Sequence, residues 1–82
     1  MPKVEVKFFG PLRDVVRKES LQIDVPLHAT GEETFEVLAS QFPDLRHWRA
    51  SLRLAVNLEY VPFSTVLKSS DEISLIPPVS GG

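Results

Sequence analysis

Asp71-Glu72-Ile73-Ser74-Leu75-Ile76-Pro77-Pro78-Val79-Ser80-Gly81-Gly82 is the stretch on which the reading of this chain turns. Its first half is a strand. Ile73 and Leu75 alternate with Ser74 and Ile76, so the first pair points inward and the second outward. Its second half cannot be a strand. Pro77 and Pro78 each fix φ and lack a backbone N–H, so neither continues a sheet as a donor. Six residues from Pro77 to Gly82 reach roughly 20 Å when extended. Gly81 and Gly82 have no Cβ, so they fit a tunnel that other residues would block. Read by itself, a Gly-Gly end is an ordinary loose terminus. What stands in front of it has to decide.

The strand that answers Ile73–Ile76 lies at the other end of the chain. In Val4-Glu5-Val6-Lys7-Phe8-Phe9, Val4, Val6 and Phe8 face one way and Glu5, Lys7 and Phe9 the other. Gly10-Pro11 breaks it. Leu12 to Lys18 reads as a short helical turn with Leu12, Val15 and Val16 as its apolar positions. It is basic through Arg13, Arg17 and Lys18, either a solvated face or a contact for an acidic partner. Leu21-Gln22-Ile23-Asp24-Val25 alternates again and stops at Pro26, which suggests an antiparallel hairpin with an elaborated loop.

Thr30 and Glu33 have the spacing of a capping box, and Glu32, Glu33 and Glu36 put negative charge in the first turns of a helix. Phe35, Leu38, Ala39 and Phe42 recur at helical spacing, so the one long helix runs from about Gly31 to Phe42. Beyond Pro43, Trp48 is expected to cover one end of the core, and Arg46, Arg49 and Arg53 form a loose, solvated basic group. Leu52, Leu54, Val56 and Leu58 are expected on one face of a third strand, with a turn over Asn57–Glu59. Tyr60-Val61 is a short edge strand before Pro62, and Phe63, Val66 and Leu67 are expected to plug the core.

Strand, strand, helix, strand, short strand, strand is an α+β order. The simplest closure sets the last strand beside the first, parallel to it and in the middle of a mixed sheet of four to five strands. The helix packs across one face of that sheet. This is the ubiquitin-like β-grasp arrangement, with a domain over residues 1–76 and a tail over 77–82. It places Phe9 and Ile76 at one end and on one outward face, an apolar patch at the root of the tail.

Composition narrows the function classes. Eighty-two residues make one small domain, with little room for a deep pocket. A net charge of −2 argues against a nucleic-acid binder. No apolar run spans a membrane, and the chain enters its first strand without a signal-peptide pattern, so a cytoplasmic protein is expected. The absence of cysteine removes a thiol nucleophile and thiolate metal sites, and His28 and His47 have no partner at metal-ligand spacing, so no metal site is expected. No phosphate loop, metalloprotease motif or local Ser-His-Asp pattern is present, and Asp71 and Glu72 need only a turn role. A self-contained enzyme is not expected.

Leu54-Ala55-Val56-Asn57, Tyr60-Val61 and the stretch quoted first, together with Val6-Lys7-Phe8-Phe9-Gly10 and Arg13, resemble the small, sulfur-carrier subunit of molybdopterin synthase. The likeness covers essentially the whole chain. It departs at Ser69-Ser70, where the family often has Asp-Gly, and Leu27 to Glu33 is slightly long. The resemblance implies that Gly82 is the working residue. An α-carboxylate is a poor electrophile, ionised at neutral pH. A partner similar to ubiquitin-activating enzymes spends ATP to adenylate it, and a sulfur donor system converts the adenylate to a thiocarboxylate. The large catalytic subunit then takes the tail (Pro77, Pro78, Val79, Ser80, Gly81) and transfers sulfur to a cyclic pterin precursor on the way to the molybdenum cofactor. On this reading the chain is the sulfur-donating subunit of a sulfurtransferase complex and holds no permanent cofactor. Phe9, Ile76, Tyr60 and Arg13 match positions that meet the partner. Three alternatives stay open: a sulfur carrier for thiamin, cysteine or tRNA thiolation; a ubiquitin-like modifier conjugated through Gly82; and an interaction domain with a loose tail.

Overall fold

The computed structural model describes residues 1–78. Five strands form one mixed sheet: β1 (Lys3–Phe8), β2 (Ser20–Asp24), β3 (Arg53–Val56), β4 (Glu59–Val61) and β5 (Glu72–Ile76). Their spatial order is β2-β1-β5-β3-β4. β1 and β5 are parallel neighbours, with Val6 beside Ile73 and Phe8 beside Leu75. β3 runs antiparallel to β5 on its other side. β5 is therefore central, as the β-grasp order requires. Helix α1 (Pro11–Val16) lies within the β1–β2 connection, anchored by buried Leu12 and Val16.

Alternation sets the two faces of the sheet. Val4, Val6, Phe8, Ile23, Leu54, Ile73 and Leu75 fill the core between the sheet and helix α2 (Gly31–Gln41). From α2 come Phe35, Leu38 and Ala39, each about 1% exposed or less. Burying Phe35 and Leu38 stabilises the fold by about 2 kcal/mol each. The capping box forms as the sequence predicts: the Glu33 N–H donates to Thr30 Oγ1 (3.1 Å), and the Thr30 N–H donates to Glu33 Oε1 (2.9 Å). Two more unpaired helix-start donors are satisfied by the loop before β5. The Gly31 N–H reaches the Thr65 carbonyl (3.0 Å) and the Glu32 N–H reaches that of Phe63 (2.9 Å). A β-carbon on Gly31 would run into the buried Leu54 side chain and stand 3.1 Å from the Phe63 carbonyl oxygen, so glycine lets the loop and β3 approach the helix start closely.

Several expectations need correction. Leu58 does not join the inner face of β3. The strand ends at Val56, because Asn57 (φ 49°) and Leu58 (φ 72°) take left-handed conformations and reverse the chain into β4. Leu58 sits at that tip, 89% exposed. Val66 is also exposed, and of the three expected plugs only Leu67 is fully buried, with Phe63 partly so. Val66 instead makes a single bridge to Thr30. The helix stops at Gln41, with Phe42 half-buried as its C-cap.

Arg46 and Arg49 are not a loose solvated group. Arg46 pairs with Glu36 at 2.8 Å. Arg49 grips Glu32 through Nε (2.9 Å) and Nη2, and stacks 3.6 Å over the Phe63 ring. The hydrogen bond from Arg49 holds the Glu32 carboxyl below the usual carboxylate range, and the same contact raises the Arg49 guanidinium. The clamp ties the loop at Phe63 to the start of α2. Trp48 packs half-buried against the core, as expected.

Candidate functional site: the root of the tail

Because β5 ends in the middle of the sheet, the chain leaves the fold between two neighbours rather than from an edge. Ile76 pairs with Arg53 on β3. On the other side, Phe8 pairs with Leu75, so the next step of the parallel ladder sets Phe9 level with Ile76. Phe8 and Leu75 are core residues, so Phe9 and Ile76 both project from the face that α2 leaves uncovered. Phe9 is 43% exposed and Ile76 half-buried. The sequence predicts this juxtaposition, and the register produces it.

The turn after β1 supports the exit. Gly10 has φ 57° and ψ −133°, a conformation that side-chain-bearing residues rarely adopt. A β-carbon built on Gly10 would stand 3.4 Å from Pro77 Cγ, so the proline ring rests on this turn. Pro77 is half-buried and Pro78 exposed. Val79, Ser80, Gly81 and Gly82, on which the sequence reading puts the chemistry, lie outside the described residues.

Tyr60 joins the patch from the edge strand. It pairs with Ala55, which pairs with Ser74, which pairs with Lys7. This row crosses the uncovered face. Ala55 and Ser74 are only 5% and 6% exposed although no helix covers them. They are small, and the longer residues around them enclose them. The result is a low floor flanked by Tyr60, which is 63% exposed. Tyr60, Arg53, Ile76, Pro77 and Pro78 line a hollow on one side of the exit. Phe9, Lys7, Arg13 and Glu19 line another on the opposite side. Arg13 is half exposed and makes only a long contact with Glu19, 3.7 Å. Sequence reading left Arg53 and the Ala55–Ser74 floor out of the site. The signal was available as two small residues at outward positions of adjacent strands.

Further down the sheet, Asn57 pins the start of β5. Its side-chain amide donates to Asp71 Oδ1 (3.0 Å), and its side-chain carbonyl accepts the Glu72 N–H (3.1 Å). Asp71 Oδ2 accepts the Lys68 N–H (2.7 Å). These carboxylates and amides serve the turn, as the sequence suggests for Asp71. Among the described residues no three His, Asp or Glu gather into a metal-binding group. Among them, too, no helix is long and apolar enough to cross a membrane. What the described arrangement offers is a firm base for an outgoing chain segment and an apolar surface beside it.

A β-grasp sheet with the chain led out of its central strand defines the class of ubiquitin-like carrier and modifier domains. Residues 6–82 match the ThiS family, and the chain belongs to it. The molybdopterin synthase sulfur carrier subunit of Mycobacterium tuberculosis is 32% identical over 83 residues, covering 100% of both chains. A chain in the complex of subunits 1 and 2 of the molybdopterin-converting factor from Helicobacter pylori is 32% identical. It superposes with a TM-score of 0.69 over 98% of this chain and 99% of that one. Small archaeal modifier protein 1 from Methanosarcina acetivorans is 26% identical, with a TM-score of 0.86 over 100% of this chain and 98% of that one.

Proposed function

We propose that this chain is the sulfur carrier subunit of a molybdopterin synthase, and that the carboxyl group of Gly82 carries the sulfur. The observation behind it is the central position of β5. The tail root is held on both sides, while exposed Phe9 and Tyr60 and half-buried Ile76 lie beside it. Membership of the ThiS family and likeness to named sulfur carrier subunits support the cargo. The large catalytic subunit is the partner that the Helicobacter pylori complex supports.

Each step then has a chemical requirement. A carboxylate resists attack, so an adenylyltransferase partner activates Gly82 with ATP and releases pyrophosphate. A donor of sulfide-level sulfur displaces AMP, leaving a thiocarboxylate. Its sulfur attacks a carbon of the pterin precursor inside the large subunit and displaces an oxygen substituent. Water then cleaves the resulting thioester, leaving the sulfur on the pterin and returning the terminus to a carboxylate. Gly81 keeps the approach narrow, and Pro77 and Pro78 stiffen the reach. Binding has to be reversible, because the same tail visits both the activating partner and the synthase. Such a protein needs no membrane and works in the cytoplasm.

Deleting Gly81 and Gly82 tests the reading. The truncated protein melts at the wild-type temperature and no longer supports sulfur transfer in a reconstituted synthase. Retained transfer removes Gly82 from the mechanism. A second reading, conjugation of Gly82 to lysines of other proteins, has the likeness to small archaeal modifier protein 1 behind it. It predicts Gly-Gly remnants on those lysines.

A further inference from the structure

The charges of this acidic chain are sorted along the strand direction. The pole where β5 ends is cationic. The β1–β2 connection there carries Arg13, Arg17 and Lys18 against Asp14 and Glu19, and the start of β3 adds Arg53. The opposite pole of the sheet is acidic. Glu5 stands directly beside Glu72 across the parallel pair, a like-charge contact that Lys7 relieves only partly at 3.4 Å. Asp24 ends β2, Glu59 begins β4 and Asp71 precedes β5 at the same pole, with Lys3 and Lys68 as the cations there. Lys3 is already spoken for by Asp24 at 3.0 Å. A protein of net charge −2 therefore presents about two net positive charges around its tail root.

We infer that the tail pole docks on a protein surface that is apolar at its centre and acidic at its rim, and that the charge sorting steers the tail end into contact first. The inference rests on the sulfur-carrier reading for the identity of the partner, the large synthase subunit. It commits to a protein because Phe9, Ile76 and Tyr60 lie within the cationic ring, and a phosphate backbone has no use for an apolar centre. The charge of the tail sharpens the requirement. Carboxylate and thiocarboxylate are both anionic, so the partner needs an acidic rim for the domain and a cationic end to the tunnel for Gly82. A partner cationic throughout would attract the tail and repel the domain. The rim acts on the encounter more than on the lifetime of the complex, because exposed charges change association rates and their salt dependence.

Stopped-flow association with the large subunit from the same organism tests this. The wild-type rate constant should fall about tenfold between roughly 0.01 M and 0.15 M salt, as the Debye length shrinks from about 30 to 8 Å. Lys18→Glu should slow low-salt association about tenfold and flatten the salt dependence, with dissociation little changed. Lys68→Glu, an equal charge reversal at the opposite pole, should slow it far less. Both residues are exposed, and unchanged melting checks that each variant is folded. Association insensitive to salt, or equal slowing by the two reversals, overturns the steering while leaving the sulfur-carrier reading intact. So does a short RNA that displaces the large subunit, which would make the cations a phosphate footprint. No association at any salt overturns both.

Discussion

Asn57 offers the sharpest test of how the tail-bearing strand is held. Replacing it with alanine removes two side-chain hydrogen bonds, to Asp71 Oδ1 at 3.0 Å and from the Glu72 N–H at 3.1 Å. Both are exposed, so together they contribute about 1–2 kcal/mol. Alanine also has to take φ 49°, which asparagine tolerates, at a further cost of about 1 kcal/mol. Asn57→Ala should therefore destabilise the domain by about 2–3 kcal/mol, a large share of the total for a small domain. At about 4–8 °C per kcal/mol for a domain of this size, Tm should fall by about 10–20 °C. Asn57→Gly loses the same hydrogen bonds without the backbone strain and should lose only about 1–2 kcal/mol. Urea unfolding of the three proteins separates the two contributions. An alanine variant within about 0.5 kcal/mol of wild type would refute the pinning. A glycine variant as unstable as alanine would refute the backbone part. The pin matters for function because a one-residue slip of β5 would turn Ile76 inward and Leu75 outward.

Phe9→Arg and Ile76→Arg should each weaken binding to the large subunit about tenfold or more without loss of fold, read by calorimetric titration and by melting; unchanged affinity removes the patch from the account. Ser70 has φ 73°, a conformation glycine takes without strain, so Ser70→Gly should raise stability by about 0.5–1 kcal/mol in urea unfolding. Glu32→Gln breaks the clamp on Arg49. The Glu32 pKa is depressed in the fold, so its contribution is present above the unfolded carboxyl value of about 4.3 and disappears as pH falls through the lower folded value. The Glu32 side chain is 44% exposed, so the expected loss near pH 7 is under about 1 kcal/mol. The gap between wild type and Glu32→Gln should close in acid, and unfolding curves across pH check this.

Much of this architecture was legible because alternation and helical spacing are local signals. Val4-Val6-Phe8 and Ile73-Leu75 fix two buried faces, and their parallel pairing follows once a helix has to cross between them. The same signal misleads at Leu58. Alternation continues one step past the point where the chain turns, and the choice of turn belongs to Asn57 and Leu58 together with the β4 partner. Arg49 was illegible for a different reason. Its partners Glu32 and Phe63 lie 17 and 14 positions away, and only the folded chain brings them together. At the site, Phe9 and Ile76 were readable as apolar residues in polar slots. The Ala55–Ser74 floor was half-readable, as two small residues at outward positions that only the β3–β5 register brings together, and the Gly10 seat under Pro77 was not readable at all.

The central claim is that Gly82 carries sulfur, and the mass of the intact protein recovered from its native cells tests it most directly. A sulfur carrier contains a fraction in which one oxygen is replaced by sulfur, and fragmentation locates the change at Gly82. That fraction should grow when the large subunit is absent and vanish when the activating partner is absent. A terminus that is only ever a free carboxylate in all three backgrounds would contradict the account.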